Sequence, residues 1–203
     1  MAKIIKMGLT GGIASGKSEV GRLLSLKGIP VIDMDKIGRT LLESDSKIKE
    51  EIVAIFGNKA MSEGSIDREK LRSLVFTDPQ SRKQLEQIVQ PRIRKRFQEL
   101  AQKEEGKGTR LVVCEAALLI ESGYRHDLDK LTVVMAPEKV RMDRLLSREP
   151  VSKKLAEHIF QAQTQDLERL AVANYLVENT GSLEDLAKAV DELVAKWKND
   201  GLL

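Results

Sequence analysis

The chain has 203 residues, 41% hydrophobic and 32% charged: enough apolar material for one buried core, too little length for two independent domains, and too apolar for a disordered protein. Aromatic residues are only 3% and the formal charge is +3, which argues against base-stacking platforms for single-stranded nucleic acid, while the small basic excess suits an anionic metabolite as well as a polymer. Cys114 is the single cysteine, which excludes an internal disulfide, and the opening MAKIIKMGLTGG holds no apolar run long enough for a signal peptide or membrane span, so a cytoplasmic protein is expected.

In chain order, the apolar run 4–9 reads as a strand leading directly into a glycine-rich stretch, after which Val20, Leu23, Leu24 and Leu26 recur at helical spacing. Lys27-Gly28 stops that helix, and residues 29–32 form a second apolar run ending in Asp33 and Asp35. Residues 36–107 change character. No further strand is predicted there, Asp67 is placed to cap a helix over 68–76, and Asp78-Pro79 to open one that ends near Pro91. Pro91 is then expected to start a separate charged helix over 92–105, closed by Gly106 and Gly108. Buried parallel strands are predicted at 111–114 and 131–135, and a helix from Glu138. A basic segment follows between Arg141 and Asp166, then a last strand at 175–177 and a final helix over 183–198 behind a capping box begun by Ser182. Strands alternating with helices imply an α/β fold with a parallel sheet covered on both faces, into which the helical and basic stretches are inserted.

Gly11-Gly12-Ile13-Ala14-Ser15-Gly16-Lys17-Ser18 fills every fixed position of the phosphate-loop pattern G-x-x-x-x-G-K-[ST], between a strand and a helix as the chemistry demands. Glycines let successive N–H groups turn toward a β-phosphate, and the helix that continues through Glu19 adds its positive end. Lys17 would neutralise β- and γ-oxygens of ATP, and the Ser18 hydroxyl would ligate Mg²⁺. Asp33 and Asp35 are expected to leave one side of a continuing strand, at the carboxyl end of the sheet where ligands bind, as an acid pair for orienting or deprotonating an acceptor hydroxyl. Glu115 ends the run 111–114, where a carboxylate could hold Mg²⁺ through water. Arg141, Arg144 and Arg148 lie at helical spacing and would act as mobile cations closing over ATP, or else form an exposed basic face. His126, His158 and Cys114 have no partners at metal spacing.

The ordered set of motifs resembles the dephospho-CoA kinase family over nearly the whole chain. Residues 8–18 look like its phosphate loop, followed at the family's distance by 31–39; 85–94 resemble its insertion-helix motif, 118–123 its post-strand motif, and 159–163 with 173–182 its lid exit and last strand. The resemblance implies a P-loop NTPase three-layer α/β fold with a parallel five-stranded sheet. It also implies one kinase domain with a core over about 1–36, 108–140 and 167–203, a helical acceptor-binding insertion over about 37–107, and a lid over about 141–166. Its implied reaction passes the γ-phosphoryl of ATP, with Mg²⁺, to the ribose 3′-hydroxyl of dephospho-CoA. By position it makes Asp35 the base beside Asp33, gives Arg144 and Arg148 to the lid, sets Asn179 near adenine, and assigns Arg39, Gln90, Arg94, Glu115 and Leu118 to the acceptor. Four positions depart from the family pattern. Ala14 replaces a usual glycine, which is tolerable at negative φ; Gln90 replaces a histidine; Glu115 and Ala117 stand where aspartate and proline are common.

Two other functions share parts of this chemistry. One is another small-metabolite or nucleoside monophosphate kinase, separable by acceptor turnover. The other is a P-loop nucleic-acid-binding ATPase using the basic residues around Arg92–Arg96, against which the low aromatic content and modest charge argue. A monomer or weak homo-oligomer, without nucleic-acid or membrane partners, is expected.

Overall fold

The computed structural model describes residues 3–148, 153–161, 163 and 165–203, the side chains of 76, 77, 148, 154, 158, 159 and 161 excepted. Residues 149–152, 162 and 164 of the predicted lid therefore lie outside the described residues. The elements begin β1 (Ile5–Gly11), α1 (Lys17–Leu26), β2 (Val31–Asp33), α2 (Met34–Ser44), α3 (Ser46–Phe56), β3 (Met61–Ser62), β4 (Ser65–Ile66), α4 (Arg68–Thr77) and α5 (Pro79–Glu105). They continue with β5 (Leu111–Glu115), β6 (Lys130–Met135), α6 (Glu138–Arg148), α7 (Lys153–Gln161), α8 (Asp166–Val172), β7 (Tyr175–Glu178) and α9 (Leu183–Asn199). The chain divides into two compact units, residues 1–33 with 101–203 and residues 34–100.

The first unit is built on a five-stranded sheet of order β2-β5-β1-β6-β7, parallel throughout, as the alternation of strands and helices predicts. Alternation along the strands sorts side chains to two faces. Met7, Leu9, Leu111, Val113, Val134 and Val177 pack with Val20 and Leu24 of α1 and with Leu186, Val190, Leu193 and Trp197 of α9. On the other face Gly8 is required by close approach: a Cβ there would lie 2.7 Å from Leu131, 2.8 Å from Leu128 and 3.2 Å from Leu119. Register brings Gly8 beside Cys114 and Leu131, and Leu9 beside Glu115, so β1 ends in the middle of the sheet with strands on both sides. α9 starts where the sequence indicates, Ser182 and Asp185 exchanging the two hydrogen bonds of a capping box.

The second unit is mainly helical and departs from the expectations in two places. A two-residue-per-strand hairpin, β3–β4, occurs where no strand was predicted, because it is too short to carry any periodicity. Pro91 does not separate two helices; it lies inside the continuous α5. A proline removes one intrahelical N–H and crowds the preceding turn. Arg92, the next residue, ties this turn to α3: its Nη1 donates to the Ile88 carbonyl at 2.7 Å and its Nη2 to Glu51 at 2.6 Å. The apolar face of α5, with Ile88, Val89, Ile93 and Phe97 buried, then carries the helix past the proline.

Candidate active site

The phosphate loop joins β1 to α1 where the central strand ends. Gly16 takes φ +94° and stands at the N-cap of α1 without a side-chain cap, so the N–H groups of Lys17 and Ser18 at the start of a ten-residue helix remain available to an anion, while that of Glu19 donates to the Gly16 carbonyl. Ala14 also lies in the left-handed region, at φ 57°, which corrects the expectation of negative φ: the turn needs that conformation whether or not glycine supplies it. Ser15 N–H closes the loop onto the Gly12 carbonyl at 3.0 Å, and the Ser15 hydroxyl is buried without a hydrogen-bond partner.

Three side chains distant in sequence hold this loop. The Asn179 amide donates to the Ser15 carbonyl at 2.8 Å and fits so closely that a Cβ on Gly16 would lie 2.1 Å from its nitrogen. Gln163 Oε1 accepts from Ile13 N–H at 2.8 Å. Lys17 Nζ reaches Glu115 Oε1 at 2.9 Å across the end of β5. Asp33 stands next to Glu115 in register on β2.

Arg144 of α6 donates from Nη2 to Asn179 Oδ1 at 3.3 Å, and its Nη1 is buried with no hydrogen-bond partner, a cationic donor close to the brace of the loop. Arg148 belongs to the same helix, but its side chain lies outside the described residues. Arg141, read from sequence as a mobile or exposed cation, is instead only 5% exposed. Its Nε donates to the Ala136 carbonyl at 3.0 Å, its Nη2 to Asp166 at 2.8 Å, and its guanidinium lies over the Phe160 ring at 4.9 Å. Burial lowers its pKa from the ordinary arginine value; Asp166 opposes that shift and Arg169 adds to it. Arg169, 2% exposed, shares Asp166 at 2.9 Å, and a Cβ on Gly12 would lie 2.1 Å from Arg141 Nη1 and 3.4 Å from Arg169 Nη1. A cavity of about 250 Å³ opens beside these groups, lined by Arg141, Glu157, Phe160, Gln163, Asp166 and Arg169.

Leu118, after β5, is 40% exposed, one of several large apolar side chains at the surface. Asp35 and Asp33 do not share a strand as expected. β2 stops at Asp33, and Asp35 is in the first turn of α2, where a carboxylate is favoured by the helix dipole. Within the second unit, Asp35 and Arg39 lie four apart on α2, and Gln90 and Arg94 four apart on α5. Gly38 of α2 packs on Ile93 of α5, where a Cβ would come 3.0 Å from Ile93 Cδ1, so these two pairs fall on adjoining turns of neighbouring helices. Gln163, Asp166 and Arg169 were not singled out as site residues; Gln163 closes the 159–163 motif, and the signal for Asp166 and Arg169 was their i,i+3 spacing.

No cluster of three or more His, Cys, Asp or Glu among the described residues could hold a metal unaided. The residues fit a magnesium ion carried by nucleotide phosphates, because Ser18 is exposed in the first turn of α1 and such an ion needs only one or two protein oxygens beside phosphate and water. No helix among the described residues is long and apolar enough to cross a membrane.

A family profile described as dephospho-CoA kinase matches residues 5–185. A dephospho-CoA kinase of Fusobacterium nucleatum is 39% identical over 93% of this chain and 96% of its own length, and one of Bacillus licheniformis is 37% identical over 95% and 96%. Among solved structures, TT1252 from Thermus thermophilus superposes with a TM-score of 0.84 at 34% identity, covering 96% of this chain and 98% of that one. A dephospho-CoA kinase from Campylobacter jejuni superposes with a TM-score of 0.72 at 26% identity, covering 98% of both chains.

Proposed function

The chain belongs to the dephospho-CoA kinase family, and on that premise we propose that it transfers the γ-phosphoryl of ATP to the ribose 3′-hydroxyl of dephospho-CoA, giving coenzyme A and ADP. The observation that carries the reading is the uncapped N-terminus of α1 behind a glycine loop braced by Asn179 and Gln163, with the Lys17 ammonium above it. The stretch from Gly11 through Glu19 holds the phosphates, chiefly through the N–H groups of Gly12, Ala14, Gly16, Lys17 and Ser18, because those of Ile13, Ser15 and Glu19 already donate to Gln163, the Gly12 carbonyl and the Gly16 carbonyl; Lys17 offsets charge on the β- and γ-oxygens.

Arg144 and Arg148 stabilise charge on the phosphoryl as it leaves, which the unsatisfied Nη1 of Arg144 supports. Asn179 serves the nucleotide through the loop it braces. Asp35 takes the proton of the acceptor hydroxyl, with Asp33 as the second acid; Arg39, Gln90, Arg94, Glu115 and Leu118 orient the acceptor. Ser18 would ligate a magnesium ion and Glu115 would reach it through water; the ion would supply neutralisation of charge on the phosphate oxygens.

The test is ADP release with dephospho-CoA, AMP, cytidine monophosphate and shikimate offered side by side. Turnover confined to dephospho-CoA is expected, and preference for any other acceptor overturns the assignment. Asp35→Asn should lower kcat by about 10²–10⁴ at saturating acceptor, and near-normal turnover would remove Asp35 from the role of base.

A further inference from the structure

The phosphoryl-transfer scheme uses Glu115 toward the acceptor and toward magnesium, but leaves its contacts with Lys17 and Gly21 unexplained. One Glu115 oxygen takes the Lys17 ammonium at 2.9 Å, with the two side chains only 7% and 12% exposed. The other lies against α1 at Gly21, where a Cβ would sit 2.4 Å from Oε2 and 3.2 Å from the carboxyl carbon. Gly21 is buried inside a helix, a position where glycine weakens the helix relative to alanine, so its presence needs a packing reason. Retreat of the carboxylate would break its ion pair with Lys17, and the Glu115 backbone is fixed in register between Leu9 of β1 and Asp33 of β2.

We propose that Glu115, seated in the notch left by Gly21, is a positioning residue for Lys17: it holds the ammonium in place as a stand-in for phosphate and gives it up when nucleotide binds. The inference rests on the phosphate-loop reading above and deepens it. A poorly hydrated ammonium needs a counter-charge before the triphosphate arrives, and a carboxylate held on the opposite side keeps the long lysine side chain from folding away. The same carboxylate competes with the incoming phosphates, so Glu115 sets nucleotide affinity through Lys17.

The experiment measures ADP binding by calorimetry with excess chelator, so that no divalent ion contributes. Wild-type protein should bind ADP, and failure to do so would count against the phosphate-loop reading itself. Given binding, Glu115→Gln should tighten metal-free ADP about tenfold, the effect of removing one opposing charge from Lys17, and the gain should vanish in a Lys17→Met background. Unchanged metal-free affinity, with weaker binding only when magnesium is supplied, would make Glu115 a metal-side group and overturn the proposal.

The notch has its own readout, independent of nucleotide. Gly21→Ala should lower the melting temperature in the wild-type background and raise it in a Glu115→Asp background, where the shorter side chain frees the space. The same sign in both backgrounds would show that Gly21 does not accommodate Glu115, and the proposal would fail even if Glu115→Gln did not fold.

Discussion

Ala14 holds φ 57° in a loop whose neighbour Gly16 is also left-handed, and an L-residue in that region is strained by about 1–2 kcal/mol. Ala14→Gly should therefore raise unfolding free energy by about 1 kcal/mol in urea titrations while ADP affinity stays within about twofold, since glycine adopts the same left-handed conformation. Loss of stability would mean that the methyl group makes contacts outweighing the strain. Asn179 is the opposite case, a residue whose removal leaves work undone: the buried amide that satisfies the Ser15 carbonyl and receives Arg144 would be gone. Asn179→Ala should cost about 1–3 kcal/mol of stability and weaken ADP binding about tenfold, whereas Asn179→Asp, keeping Oδ1 but losing the donor, should restore the Arg144 contact and not the loop.

Elements differ in how openly the sequence announces them. α9 and its capping box are written within four consecutive residues, 182–185, and the phosphate loop within eight, so both were legible from local pattern alone. α5 was not, because what carries it past Pro91 is tertiary: Ile88, Val89, Ile93 and Phe97 are buried, and Glu51, some forty residues earlier, holds Arg92 one residue after the proline. Arg141 misled for a similar reason. A basic residue in a charged run is ordinarily exposed, and only Asp166, Phe160 and the Ala136 carbonyl, assembled by the fold, make a buried site for it. The braces of the loop, Gln163 and Asn179, are separated from it by 150 and 164 residues, beyond any spacing rule.

At the junction of β7 and α9, the Tyr175 hydroxyl donates to Asp200, and the Tyr175 pKa is pushed up to about 12, first by burial and then by that carboxylate. The folded value exceeds the ordinary 10.0, so the phenol contributes fully below pH 10 and its contribution is lost as pH rises toward about 12. Tyr175→Phe should flatten the decline in stability across that window, measured by denaturant titration at successive pH values. An unchanged decline would assign it to other groups.

For the molecule as a whole, the apolar contacts that matter most converge on β1, since Met7 and Leu9 are completely buried between α1 and α9 and the strands beside them. Leu9→Ala should lower unfolding free energy by about 2–5 kcal/mol with little change in the denaturant slope. Trp197, fully buried in the same cluster and edge-on to Tyr175 at 6.2 Å, is the natural fluorescent reporter. A smaller loss would mean that neighbouring side chains collapse into the space.

The position of β1 also bears on the order in which this protein can be made. Its two sheet partners begin at Leu111 and Lys130, and the side chains that steady its loop arrive only at Gln163 and Asn179. During synthesis on the ribosome, β1 and the glycine loop thus emerge before the strands and side chains that hold them and must wait for those to follow. ATP can assist only the finishing stage of maturation, and nascent chains arrested before residue 163 should be unable to bind it.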